Sequence, residues 1–254
     1  MQMNIDTALH ELGVRDDTLT AGEKASLDND GYVLLHGLLS LEQVRKMAAR
    51  MDELVAFEKA HGIVEGQKEP GTDRVANLLE KDPIFDVCLT HPRLLAAIAH
   101  VLPGRFVSFG ITARNSLPGA GHQDLHVDFK RGGIKPGDYW RCNSAWLLDD
   151  FSEQNGPTRI VPGTHRSGKV PKDEMANPAD PHPREIKVLA PAGTVIVFNS
   201  HTWHGGTVNR TDRPRRVIHS YFRRVHPDDP AGPASFSPQL LSRLSDGARY
   251  LLIA

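Results

Sequence analysis

Between Leu41 and Val55 the apolar residues Leu41, Val44, Met47, Ala48, Met51, Leu54 and Val55 recur three and four positions apart. That is the spacing of one face of an α-helix. Ser40-Leu-Glu-Gln43 supplies its start: the serine oxygen accepts a backbone N–H of the first turn, and the glutamine side chain accepts the serine's own N–H. Upstream, Gly31-Tyr-Val-Leu-Leu-His36 is a short apolar run entered through Asp28-Asn-Asp-Gly31, and it reads as a strand after a turn. Residues 58–73 are polar with glycines and read as a loop. A second helix is expected from Pro92 to Val101, stopped by Pro103-Gly104.

From Phe106 onward the texture changes to short β-prone runs between Gly, Pro and Asn turns. Strands are expected over Arg105–Asn115, Leu125–Phe129, Cys142–Leu148, Thr158–Val161, Glu185–Leu189, Thr194–Phe198 and Arg216–Arg223. Short strands behind a helical front predict a β-rich α+β fold, a double-stranded β-helix (jelly roll) with helices packed on the outside. The expected organisation is one domain: a mainly helical front over 1–104, a jelly-roll core over 105–225 and a C-terminal tail or helix over 226–254. Residues 166–183 mix prolines and glycines with charges, and are expected to form a mobile excursion loop.

Composition removes several function classes. The 30 basic residues are matched by 31 acidic ones, so the electrostatic footprint of a nucleic-acid binder is missing. The two cysteines, Cys88 and Cys142, are far apart and outside any Cys-x-x-Cys, which predicts buried thiols. No apolar run approaches the ~20 residues that span a bilayer. No secretory leader is visible at the N-terminus, so a cytoplasmic enzyme acting on a small molecule is expected. The oligomeric state is left open.

The chemistry concentrates in two places. His122-Gln-Asp-Leu-His-Val-Asp128 contains His-x-Asp twice. Alternate residues of a strand face one side, so either His122 with Asp124 or His126 with Asp128 could offer two metal ligands. A third could come from His201 or His204, both just past the Thr194–Phe198 run. Two histidines and a carboxylate leave positions open for a bidentate keto acid and O₂ on iron. Arg215 follows His204 by eleven positions, where Asp212 follows His201. An arginine there can grip a carboxylate with two hydrogen bonds, which favours His204.

Several ordered motifs resemble the phytanoyl-CoA dioxygenase family of Fe(II)/2-oxoglutarate oxygenases. These are Asn29-Asp-Gly-Tyr-Val-Leu-Leu-His36, Gln123-Asp-Leu-His-Val-Asp128, Asn143-Ser-Ala-Trp-Leu-Leu-Asp-Asp-Phe151, Asn155-Gly-Pro-Thr-Arg-Ile-Val-Pro-Gly-Thr-His165 and His204-Gly-Gly-x-x-Asn209 leading to Arg215. They cover roughly residues 28–225. The resemblance implies Fe(II), 2-oxoglutarate and O₂ as cofactor and co-substrates. It implies hydroxylation of a substrate C–H as the default reaction, with succinate and CO₂ released. Desaturation, epimerisation and ring formation also occur in the family. Carried over by position, His126, Asp128 and His204 become the iron ligands and Arg215 the clamp on the distal carboxylate. Gln123, Trp146 and Thr158 would line the keto-acid pocket, with Arg74 approaching it from the helical front. Founding members of the family pair the earlier His and Asp, which would be His122 and Asp124 here; the shorter gap to Trp146 favours His126 and Asp128. Asp128 also argues against halogenation, which needs a small residue there. The competing readings are a metal-binding jelly roll without turnover and a zinc hydrolase. Arg114, Lys130, Arg131 and His165 are the basic candidates for an anionic substrate at the mouth.

Overall fold

The computed structural model describes residues 3–65, 69–129, 135–225 and 236–252. In chain order they form α1 (Ile5–Glu11), α2 (Ala21–Asn29), β1 (Tyr32–Leu35), α3 (Leu41–His61), β2 (Thr72–Val75), α4 (Leu78–Lys81), α5 (Val87–Thr90), α6 (Pro92–Val101) and β3 (Phe106–Ser116). Then follow β4 (Arg141–Leu147), β5 (Thr158–Val161), β6 (Ile186–Lys187), β7 (Val195–Asn199), β8 (Trp203–Gly206), β9 (Arg215–Arg224), α7 (Pro238–Arg243) and α8 (Asp246–Tyr250). Among the described residues, no single helix is long and apolar enough to cross a membrane.

All strand pairs are antiparallel. A larger sheet runs β1-β7-β4-β9-β3-β2, and a smaller one runs β6-β5-β8. This is the jelly roll that the strand pattern and the family resemblance led us to expect. Alternation along the strands decides which side chains go where. On the outer face, Val33, Ile111, Cys142, Trp146, Val195, Val197, Ile218 and Phe222 meet Met47, Met51, Leu94 and Ile98 from α3 and α6 in the principal core. On the inner face, Ala145, Leu147, Ile196, Phe198 and Val217 meet Ile160 of the smaller sheet. The inner layer is thin towards one end, where polar side chains replace apolar ones.

The Ser40 cap forms as expected: Ser40 Oγ accepts from the Gln43 N–H at 3.2 Å, and Gln43 Oε1 accepts from the Ser40 N–H at 2.9 Å. Four expectations need correction. First, the loop expected over 58–73 is shorter, because α3 continues to His61 and ends at left-handed Gly62. Within the same stretch, Thr72–Val75 pairs with β3; with one apolar residue, it carries no hydrophobic signature and is held by pairing alone. Second, Leu125–Phe129 makes one bridge, between His126 and His204, instead of a ladder. It is extended but anchored point by point, with the Leu125 N–H donating to Pro178 O and the Asp128 N–H to Ser200 O, each at 2.9 Å. Third, the strand expected over Glu185–Leu189 shrinks to Ile186–Lys187. Fourth, the excursion over 166–183 is tied down. Buried Arg159 reaches through its guanidinium to the carbonyls of Pro178, Ala179 and Asp180. Trp203 Nε1 donates to Lys169 O at 2.9 Å.

Candidate metal and keto-acid site

The His-Gly-Gly segment explains how the site is built. The backbone of residues 121–124 lies flat on β8. A Cβ on Gly206 would come within 2.3 Å of Gly121 O, and one on Gly205 within 2.8 Å of Gln123 O. Only hydrogen fits there. The contact lets the His126 N–H donate to His204 O at 2.9 Å and the His204 N–H to His126 O at 3.1 Å. The two imidazoles are thereby brought side by side, with ring centroids 4.4 Å apart.

His126, Asp128 and His204 each offer a ligand atom, and these atoms lie within 4.8 Å of one another. His126 Nε2 is 3.5 Å from Asp128 Oδ1, and His204 Nε2 is 3.5 Å from Asp128 Oδ2. Backbone carbonyls set both tautomers. His126 Nδ1 bonds Asp124 O at 2.8 Å, and His204 Nδ1 bonds Thr202 O at 2.9 Å. A carbonyl can only accept, so both Nδ1 atoms carry hydrogen and both Nε2 lone pairs point at the shared space. Burial pushes the Asp128 carboxyl up, but the two histidines, His204 first, outweigh it and hold it well below the usual carboxylate range. Asn143 Nδ2 donates to Asp128 Oδ2 at 2.6 Å and orients the carboxylate. Neutral imidazole and ionised carboxylate are the forms that bind a divalent ion. These residues therefore fit a facially coordinated metal.

The alternatives separate from this group. The side chains of His122 and Asp124 are 43% and 68% exposed and face each other 3.8 Å apart. His201 is buried, with its ring stacked on Phe129 and edge-on to Tyr139.

A cavity of about 340 Å³ opens beside the three ligands and is lined by Arg74, Gln123, Thr158, Arg215, His219 and Tyr221 among others. Arg215 stands on the inner face of β9 and is 2% exposed. Its Nη2 donates to Ser116 Oγ at 2.9 Å, and its guanidinium packs 4.5 Å over the Phe151 ring. Its Nε and Nη1 are buried without a protein partner. Burial, with Arg114 beside it, pushes Arg215 down to about 9. A buried cation with idle donors at the end of a cavity is a receptor for an anion. Its neighbours differ: Arg213 is exposed, and Arg216 turns outward to Asp149 and Asp52. Asn209 sets this register, its Nδ2 donating to Ser116 O and Arg213 O across the turn that leads into β9.

Gln123 links the walls, with Oε1 accepting from the Gly206 N–H and Nε2 donating to Glu69 Oε1, each at 3.2 Å. Trp146 is a correction. Alternation on β4 turns Ala145 into the cavity and Trp146 away from it. Trp146 Nε1 shares Ser144 and Ser220 hydroxyls in the helix-side core. Two of the mouth candidates are corrected as well. Arg114 lines the cavity but its guanidinium is buried on Glu69, and His165 is buried with Nε2 donating to Asp28 O. Lys130 and Arg131 lie outside the described residues. Sequence reasoning passed over Asn143, Glu69, His219 and Tyr221. His219 and Tyr221 could have been found by counting in twos from Arg215.

Comparison with known proteins gives a consistent picture. The model of the phytanoyl-CoA dioxygenase family matches residues 27–217. An ectoine dioxygenase of Bordetella parapertussis is 27% identical over 248 residues, covering 87% of this chain and 80% of that protein. The dioxygenase trt7 of Aspergillus terreus is 29% identical over 210 residues, covering 76% and 69%. Among solved structures, HygX from Streptomyces hygroscopicus with nickel and 2-oxoglutarate superposes with a TM-score of 0.67 at 17% identity, covering 82% of this chain and 88% of that one. EctD from S. alaskensis with bound Fe gives 0.67 at 21% identity, covering 83% and 79%.

Proposed function

The chain belongs to the phytanoyl-CoA dioxygenase family and is a non-haem Fe(II)- and 2-oxoglutarate-dependent oxygenase; within that activity we propose that His126, Asp128 and His204 hold the iron and Arg215 the far carboxylate of the keto acid. The observation that carries the assignment is Arg215, a buried guanidinium with two idle nitrogens lining the same cavity as the three ligands. A dicarboxylate has one end for the metal and one for the arginine, so a keto diacid answers both demands.

Iron held by His126, Asp128 and His204 would couple the oxidative decarboxylation of 2-oxoglutarate to oxidation of the substrate. The protein's own residues do the rest. The Nδ1 hydrogen bonds fix both imidazole rings with Nε2 towards the metal position, and Asn143 fixes the carboxylate. Arg215 orients the keto acid by charge-assisted bonds, and Phe151 covers its far side. Gln123 and Thr158 border the keto acid. His219 and Tyr221 face the same space from β9. Burial, with Arg114, Arg74 and Arg215 around it, pushes His219 down to about 3, so it enters the reaction neutral. Overall, a small-molecule C–H, O₂ and 2-oxoglutarate give the alcohol, succinate and CO₂, one oxygen atom going to each organic product.

The test is incubation of purified protein with Fe(II), 2-oxoglutarate and O₂, without substrate. Slow succinate formation is expected, lost in His126→Ala, Asp128→Ala and His204→Ala. Full succinate formation by Asp128→Ala together with its loss in Asp124→Ala would overturn the ligand assignment.

A further inference from the structure

Arg74 borders two hollows: the metal cavity, and a second of about 500 Å³ beside it that is lined by Val55, Ile63, Val64 and Pro70. That volume falls in the range of small-molecule sites, roughly 300–1,000 Å³. The other charged groups around it are engaged with one another. Glu58 and Glu65 meet Lys81, and Asp73 meets Lys59. Arg114 is fully engaged, with Nε and Nη2 on Glu69, Nη1 on Ser116 Oγ and Nη2 also on Gly121 O. Among the described residues Arg74 makes a single hydrogen bond, from Nη1 to Glu69 Oε2 at 3.0 Å. One carboxylate therefore serves two guanidiniums. Those two are direct cross-strand partners on β2 and β3, so like charges face each other on the same side of the sheet. Such a pair destabilises a sheet unless an anion lies between or beside it. Glu69 is shared between them and takes a single donor of Arg74. Arg74 also stays a quarter exposed, with donors to spare.

We propose that Arg74 receives the anionic group of the substrate, and that Val55, Ile63 and Val64 receive its aliphatic body. The substrate class is an amphipathic acid bearing a carboxylate or phosphate head. This rests on the oxygenase reading and moves Arg74 from the keto acid to the substrate. Glu69, pinned by Arg114 and Gln123, holds the Arg74 guanidinium at the boundary between the two hollows. Among the described residues lining either hollow, Arg74 is the arginine that remains for substrate once Arg215 has its keto acid.

The experiment loads the protein with Mn(II) and 2-oxoglutarate, a combination that binds without turnover, and titrates in octanoate, octyl phosphate and octanamide by calorimetry. One of the two anions should bind at least about tenfold more tightly than the amide, the gap expected for a charge-assisted contact. Which anion prevails identifies the head group. Arg74→Gln should remove the gap, and Arg74→Lys should keep part of it. Equal binding of amide and anions overturns the proposal, as does a gap that survives Arg74→Gln. A loss of 2-oxoglutarate affinity in Arg74→Gln returns Arg74 to the keto acid and also overturns it. Failure of Mn(II) and 2-oxoglutarate to bind at all would instead overturn the oxygenase assignment beneath it.

Discussion

A single guanidinium illustrates how much one residue decides. Arg215 is buried with idle nitrogens, and removing it leaves the keto acid's far carboxylate without its partner. Arg215→Ala should raise the 2-oxoglutarate requirement by an amount corresponding to about 2–5 kcal/mol, with Mn(II) affinity nearly unchanged. Calorimetric titration of both ligands checks this. The same shift in Arg213→Ala or Arg216→Ala would mean that the turn after Asn209 has been read in the wrong register. Asn143 acts at one remove, through its 2.6 Å bond to Asp128. Asn143→Ala should weaken divalent-metal affinity roughly 10–100-fold, the usual loss for a residue that orients a ligand. Unchanged metal affinity in that variant would show that the carboxylate needs no such hold.

At the scale of elements, the contact between β8 and the 121–124 segment positions two of the three ligands. Gly206→Ala would drive a methyl into a backbone carbonyl. It should lower stability by about 1–3 kcal/mol and weaken metal binding, because His126 is displaced with its segment. Ser40→Ala is the matched control. It loses a helix cap worth about 1 kcal/mol, far from the metal, and should lower the urea midpoint with metal affinity intact. Metal affinity that falls in step with stability in both variants would sink the idea that this contact is specific to the site. The periodic elements were legible in the sequence because burial writes itself as spacing: α3 by its buried apolar stripe, β7 as an apolar run. β2 and β8 were not, since neither reads as an apolar run. β2 is polar and held by its partner, and β8 carries a ligand at its second position and ends in two glycines. The ligand candidates were legible as residue types, but alternation alone could not separate 122 and 124 from 126 and 128. What separates them is the depth at which the segment crosses β8. Trp146 was assigned to the wrong face because motif position carries no sense of direction, which strand parity does.

For the whole molecule, buried histidines couple stability to acidity. Burial, with His165 beside it, pushes His201 down to about 4. An imidazole in the unfolded chain titrates near 6.5. Between those values the unfolded chain carries a proton that the folded one lacks. The stability that His201 contributes is therefore complete above about pH 6.5 and is lost progressively as the pH falls towards 4. The urea midpoint of metal-free protein should drop between about pH 7.5 and pH 5, and His201→Gln should make that slope shallower. An unaltered slope would show that His201 gains its proton as easily folded as unfolded.

The strand order β1-β7-β4-β9-β3-β2 has a consequence for how the chain comes into being. β9, which follows the other described strands in the chain, lies at the centre of the sheet between β4 and β3. β3 with β2 and β4 with β7 and β1 are two half-sheets that share no edge until β9 slides between them. A nascent chain that has released His126, Asp128 and even His204 still has no closed sheet and no Arg215. Pairing across so many residues is slow, and it comes late in folding. The keto-acid receptor is thus completed only when β9 pairs, although the three ligands precede it in the chain. A half-made chain on the ribosome has no way to hold iron and 2-oxoglutarate together, and so no means of activating oxygen before there is a finished enzyme around it.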